Sequence, residues 1–214
     1  MNDDSLQAIF EPGIGSISTL GPEGTDAWAA AAILDIGRIV LHKTFRDAAN
    51  ACAVGETTHA LIPAGYKSAP SGVRQETWVD IHFEMEARLT LSHCWYAPTR
   101  LMGLYVRKVS IRSKARAVVL THPATEVYAR RYLPNHHIEY RDSKPKIAED
   151  FVKGNFHACI ASVDVMNHLT RNNNIRPVMT FQPTMVWCLY GKAQEPMEGM
   201  SVNRSEGRTP TLRR

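Results

Sequence analysis

Residues Leu20–Thr25 read Leu-Gly-Pro-Glu-Gly-Thr and lie between a short apolar run and an alanine-rich stretch. The run predicts a strand and the alanines predict a helix, whose free N–H groups and dipole attract anions. Gly21 and Gly24 allow a ligand to approach the backbone closely, and Thr25 or Asp26 can cap the helix. The motif therefore predicts an anion-binding turn, although an ordinary strand-to-helix turn has the same pattern.

A second motif, Thr121-His122-Pro123, repeats this arrangement after the apolar run Ala117–Leu120. Proline is favoured in the first turn of a helix, so Thr121 and His122 should lie at a strand end facing a helix start. The His122 imidazole titrates near neutral pH, which makes it a candidate proton donor, with Thr121 as a substrate ligand. Alternatively, either residue simply caps the helix.

Two cations extend the predicted site for an anion. Arg107 ends the predicted strand Met102–Arg107, where its guanidinium could hold a carboxylate through two hydrogen bonds. Lys144 follows Ser143 in the loop 142–146, which precedes the predicted helix Ile147–Lys153, and could bring a further positive charge. A surface arginine and an exposed lysine are the alternatives.

The elements that must position these residues alternate between strand and helix. Apolar runs at 17–20, 39–42 and 59–63 are separated by helical patterns that begin near Asp26 and Phe45. This alternation predicts a largely parallel sheet covered by helices. The stretch Val79–Tyr96 alternates apolar and polar residues and predicts one or two strands, with His93 in a structural role.

Composition limits the possible functions. The chain has 214 residues, 44% of them hydrophobic, and a net charge of +4. The basic residues are scattered, so nucleic acid is not expected as a partner, whereas a small anion is. Four distant cysteines show no metal-binding spacing. The N-terminus has no apolar signal core, and no apolar run reaches membrane-spanning length, so we expect a cytoplasmic protein without a membrane partner.

Several motifs together resemble one family. Leu20–Thr25, Thr121–Pro123 and Gly154–Ser162 occur in the order found in prephenate dehydratases, and the likeness extends over about residues 17 to 192. Tyr66 and the string Met185–Lys192 are more similar to the prephenate decarboxylases of bacilysin and aeruginosin biosynthesis, a branch of that family.

The resemblance implies an α/β fold of the two-lobed, periplasmic-binding-protein-like type II, with the ligand in the cleft between lobes. The bounds it suggests are a flexible leader at 1–15, lobe one at 16–96 plus 181–192, lobe two at 97–180, and a flexible tail at 193–214.

The resemblance also implies roles for individual residues. Tyr66 stands where the dehydratases have a Glu-Asn pair, and it is the reserve proton donor. Ser143 matches a substrate-binding serine, and Lys144 replaces a threonine. Met185 stands where the dehydratases have their catalytic threonine. Thr184 lies one residue away, and a one-residue shift in a strand exchanges the two faces, so a threonine in the site remains the alternative.

The function implied is decarboxylation of prephenate without aromatisation, giving a dihydro-4-hydroxyphenylpyruvate for secondary metabolism such as antibiotic biosynthesis. The alternatives are a dehydratase that forms phenylpyruvate and a non-catalytic small-anion-binding protein. The substrate's diene accepts the electrons of the breaking bond, so we expect no metal and no cofactor. A homodimer is left open.

Overall fold

The computed structural model describes residues 14–68, 75–108, 117–169 and 174–193. The predicted tail beyond Ala193 and most of the predicted leader lie outside these residues. The strands are β1 (Ile17–Leu20), β2 (Ile39–His42), β3 (His59–Pro63), β4 (Leu89–Pro98), β5 (Met102–Arg107), β6 (Val118–Thr121), β7 (His137–Tyr140), β8 (Ala158–Ser162), β9 (Ile175–Phe181) and β10 (Thr184–Lys192). The helices are α1 (Asp26–Ala32), α2 (Phe45–Ala53), α3 (Trp78–Met85), α4 (Glu126–Tyr132), α5 (Lys144–Lys153) and α6 (Val163–Leu169).

Two five-stranded sheets carry these elements, with the orders β2-β1-β3-β10-β4 and β7-β6-β8-β5-β9. In each sheet the first three strands pair in parallel, and the last two pairings are antiparallel, so only the fourth strand runs opposite to the others. We call the first sheet with α1–α3 the first lobe, and the second sheet with α4–α6 the second lobe. The predicted alternation of strand and helix from residue 17 to residue 63 is confirmed. A largely parallel sheet was predicted, and each sheet is mixed, with as many antiparallel as parallel strand pairings.

The core of each lobe follows from its apolar runs. In the first lobe, Leu61 and Ile62 of β3 are buried against Ala49 and Cys52 of α2. In the second lobe, Leu120 of β6 is buried in one cluster with residues of α5 and β8. Strands with both faces covered by helices read as continuous apolar runs, which explains why β3 and β8 were recognisable from the sequence.

The prediction of strands throughout Val79–Tyr96 is wrong in its first half, where the chain forms α3. Thr77 accepts a hydrogen bond from the Asp80 N–H, and the Asp80 carboxylate accepts one from the Thr77 N–H at 2.8 Å. This reciprocal capping starts a helix. Ile81 and Met85, four residues apart, are the buried positions. The spacing that resembled strand alternation therefore also fits one face of a helix.

The chain passes between the two sheets at two places that lie side by side. Thr99, after β4, donates its N–H to the Pro183 carbonyl at 2.8 Å, and Gln182 Nε2 donates to the Thr99 carbonyl at 2.9 Å. Because the two connections are hydrogen-bonded to each other, they form one joint between the lobes. Among the residues described, no helix is both long and apolar enough to cross a membrane.

Candidate functional site: a polar cleft between the lobes

The hydroxyl of Thr25, in the turn before α1, forms its hydrogen bonds with neighbouring backbone groups. Thr25 Oγ1 accepts the Trp28 N–H at 3.2 Å and donates to the Leu20 carbonyl at 3.1 Å. Gly24 has φ of 82°, a left-handed conformation that favours glycine. The Asp26 carboxylate occupies the first turn of α1. The N-terminus predicted to bind an anion is therefore already capped by a hydroxyl and faced by a carboxylate of the chain itself.

Asp26 connects the two lobes. Its carboxylate forms an ion pair with the Lys144 ammonium of α5, and its Oδ1 accepts the Arg100 N–H at 3.0 Å. The side chains of Asp26 and Lys144 are only 17% and 19% exposed. Arg100, between β4 and β5, pairs in turn with Asp164 at 2.5 Å. Lys144 is thus partly buried between the lobes rather than exposed, and both cations are paired with carboxylates.

His122 caps the turn that follows β6. Its Nδ1 accepts the Ala124 N–H at 3.1 Å, so the proton of the neutral ring lies on Nε2. Burial, followed by the positive charge of Lys144, lowers the pKa of His122 to about 4, against opposing contributions from Asp142 and Asp26. The imidazole is therefore neutral at neutral pH. In this state it has no readily released proton.

Thr121 and Ser143, both predicted substrate ligands, have internal hydrogen bonds. Thr121 is fully buried, and its hydroxyl is 2.9 Å from the hydroxyl of Thr125. Ser143 Oγ accepts the Lys146 N–H at 3.3 Å and so caps α5. Both hydroxyls hold the ends of elements that border the cleft.

Tyr66 belongs to a network on the first lobe. Its hydroxyl donates to Glu76 Oε1 at 3.0 Å, and Glu76 Oε2 accepts from Arg46 Nε at 2.6 Å. Its ring packs edge-on against Phe45, with centroids 4.8 Å apart. Burial and then the Glu76 charge raise the pKa of Tyr66, and Asp142 of the second lobe adds to the rise. The charge of Asp142 thus acts on both Tyr66 and His122.

Met185 lies against the loop that carries Tyr66. A Cβ placed on Gly65 would be 2.8 Å from Met185 Sδ, so the thioether occupies the space that a side chain at position 65 would need. Ala64 also donates its N–H to the Val186 carbonyl at 2.9 Å, which fixes β10 beside this loop. Thr184 is exposed on the opposite face of the strand. Of the two alternatives, Met185 is the one beside Gly65.

The structure does not place Arg107 with the other residues predicted to bind a carboxylate. Arg107 Nη2 donates to the Phe151 carbonyl and, at 2.9 Å, to the Gly154 carbonyl at the end of α5, and its guanidinium lies over the Phe151 ring. Its own N–H donates to the His157 carbonyl, just before β8. Because β8 is antiparallel to β5 and parallel to β6, Arg107 lies at the opposite edge of the sheet from Thr121. It caps a helix C-terminus.

The structure therefore places Met185 beside the loop that carries Tyr66 in the first lobe. It places His122 and Lys144 in the second lobe, where Lys144 reaches Asp26 of the first lobe, and it leaves Arg107 elsewhere. Three charged residues near these side chains have no site role predicted from the sequence: Arg100, Asp142 and Glu76. Two of them could have been identified by their positions. Asp142 directly precedes the predicted serine ligand, and Arg100 lies in the connection between the lobes. Among the described residues, no group of three or more His, Cys, Asp or Glu side chains could hold a metal.

Comparison with solved structures identifies the fold. The chain is similar to the prephenate dehydratase of Arthrobacter aurescens, solved in complex with L-Phe, with a TM-score of 0.52 and 16% identity. That match covers 84% of this chain and 61% of the dehydratase. The periplasmic VFT2 domain of Bordetella pertussis BvgS matches with a TM-score of 0.50 and 12% identity, over 83% of this chain and 80% of that domain. No protein-family model and no curated protein matches the sequence.

The fold is thus the two-lobed α/β fold that periplasmic binding domains and a prephenate dehydratase share, and this part of the prediction is confirmed. At these identities the likeness concerns the fold alone.

Proposed function

We propose that this protein decarboxylates prephenate without aromatising its ring, giving a dihydro-4-hydroxyphenylpyruvate. The observation that supports this most is the Met185 thioether against Gly65, in the loop that carries Tyr66. By resemblance, a dehydratase has its acidic threonine at that position. A thioether has no proton to give to a leaving hydroxyl.

The proposed reaction needs one proton and no external electrons. The bond between the ring and its carboxylate breaks, carbon dioxide leaves, and the electron pair moves into the diene. A proton then adds to a ring carbon, and the ring hydroxyl stays. A dehydratase instead protonates that hydroxyl as it leaves, so the position of the acid decides the product.

Lys144 and Arg100 are the cations proposed to bind the two carboxylates of the substrate. Each is paired with a carboxylate of the protein, Asp26 or Asp164, so the substrate has to displace or join these pairs. Lys144 also opens the ten-residue helix α5, whose N-terminus favours an anion. Gly24 and Thr25 directly precede Asp26, which contacts both of these cationic residues.

The proposed proton donor is His122 in its charged form, created when the substrate binds. Raising its pKa from about 4 to neutral pH requires roughly 4 kcal/mol, at about 1.4 kcal/mol per unit. A carboxylate about 4 Å away contributes roughly that much at an effective dielectric constant near 20. Tyr66 is the reserve donor, because its raised pKa makes it the weaker acid.

The test follows prephenate by proton NMR with the wild-type protein, Met185→Thr and Thr184→Val, beside a sample without protein. We expect a non-aromatic keto acid from the wild type and from Thr184→Val, whose side chain is on the exposed face. With Met185→Thr we expect part of the product to become phenylpyruvate. Phenylpyruvate as the main wild-type product would contradict the proposal and favour a dehydratase.

A non-catalytic anion-binding protein is the second candidate. The neutral His122 and the neutralised Lys144 favour it, because a binding protein needs a polar cleft but no proton donor. A thermal shift with prephenate, but no loss of prephenate over time, would support this candidate and exclude the enzyme.

A further inference from the structure

Cys94 of β4 and Cys188 of β10 form a close pair of thiols in the first lobe. They are direct cross-strand partners, and their sulfurs are 3.6 Å apart, with Cys94 Sγ donating to Cys188 Sγ. Both cysteines are free in the structure. We propose that this pair is a reversible thiol–disulfide site that reacts with a low-molecular-weight disulfide. The proposal does not depend on the proposed function.

The strand register makes the bond geometrically accessible. Val186 directs its carbonyl toward β3, where it accepts the Ala64 N–H. Cys188, two residues further along, has the same orientation, so Cys188 and Cys94 form a non-hydrogen-bonded pair of the antiparallel ladder. In such pairs the Cα atoms are about 4.5 Å apart, within the range that a disulfide spans. The sulfurs need to approach to about 2.05 Å, which side-chain rotation can supply.

The two thiols differ in solvent accessibility, and this difference determines which thiol reacts first. Cys94 is exposed, whereas Cys188 is 2% exposed. The Cys94 thiolate attacks one sulfur of the external disulfide, forms a mixed disulfide and releases one thiol. Cys188 then loses its proton to solvent and attacks Cys94 Sγ, and a second thiol leaves. Two cysteine thiols are oxidised, and one external disulfide is reduced to two thiols.

The position of the pair gives the bond a structural consequence. β4 and β10 continue directly into the two connections between the lobes, which are hydrogen-bonded through Thr99 and Pro183. A Cys94–Cys188 disulfide would link the strands on the first-lobe side of this joint covalently.

The experiment treats the reduced full-length protein with oxidised glutathione at neutral pH, quenches with acid and measures intact mass and digested peptides. We expect the wild type to lose two hydrogens and to yield a peptide in which Cys94 and Cys188 are linked. The variant Cys188→Ser should stop with one glutathionyl group on Cys94. The variant Cys94→Ser should acquire neither the link nor the adduct, because Cys188 is buried.

The control is the double variant Cys52→Ala and Cys159→Ala, which removes the two other buried thiols and should lose the same two hydrogens. The linked peptide must disappear when the oxidised protein is treated with dithiothreitol. A wild-type protein that accumulates glutathione on Cys94 without forming the link, or that shows no change, would overturn the proposal. A link between any other pair of cysteines would overturn it as well.

Discussion

Replacing His122 with asparagine should change how stability depends on pH. The pKa of His122 is lowered to about 4 in the folded protein, against an ordinary value near 6.5 in the unfolded chain. Below about pH 6.5 the unfolded chain therefore binds a proton at this position that the folded protein does not bind. Stability is unaffected above that pH and is lost as the pH falls toward 4.

The size of the effect follows from these two pKa values. Near pH 5, the unfolded histidine is almost fully protonated and the folded one is mostly neutral, which costs the wild type about 2 kcal/mol. Asparagine can still accept the Ala124 N–H as a cap but does not titrate. Between pH 7.5 and 5, the wild type should therefore lose about 2 kcal/mol more than His122→Asn.

The assay is urea unfolding of both proteins at the two pH values, with free energies extrapolated to water. Comparing the two proteins removes the contributions of all other groups, including His59 and His136, whose pKa values burial also lowers. Parallel pH profiles for wild type and variant would refute the assignment of a neutral, pKa-depressed His122.

Two further predictions concern the cations. Arg107→Met should lower the free energy of unfolding by about 1.5–3 kcal/mol, because charge-assisted hydrogen bonds to a helix end are lost. The same variant should leave the KM for prephenate unchanged. A variant with normal stability and a raised KM would return Arg107 to the site. Lys144→Met should raise that KM by about tenfold or more, whereas Lys146→Met, which breaks an exposed pair with Asp150, should not. Equal KM values for these two lysine variants would remove Lys144 from the site.

Local patterns predicted the elements of this fold well. The apolar runs of β1 and β3 and the helical spacing of α2 depend on neighbours in the sequence, and the structure has all three. The same reasoning missed α3, although the capping pattern from Thr77 to Asp80 was present in the sequence. Alternation over few residues does not separate a strand from one face of a helix.

The electrostatics of the cleft could not be predicted from the sequence. Asp26 and Lys144 are in different lobes, and only the packing of the two lobes against each other makes them partners. The pKa of His122 is lowered first by burial and then by the charge of Lys144, whereas Asp26 opposes the shift. The position of Arg107 could not be predicted either. An arginine at a strand end has the same local pattern at either edge of a sheet. Only the antiparallel pairing of β5 with β8 places Arg107 at the far edge from Thr121.

The most direct test of the proposed reaction is to incubate the protein with prephenate in deuterium oxide and to examine the ring of the product by NMR and mass spectrometry. Decarboxylation with protonation of a ring carbon predicts a non-aromatic ring that retains its hydroxyl and carries one deuterium from the solvent. An aromatic ring without solvent deuterium would mean that the hydroxyl left instead, and unchanged prephenate would mean that the protein only binds; either result would contradict the account.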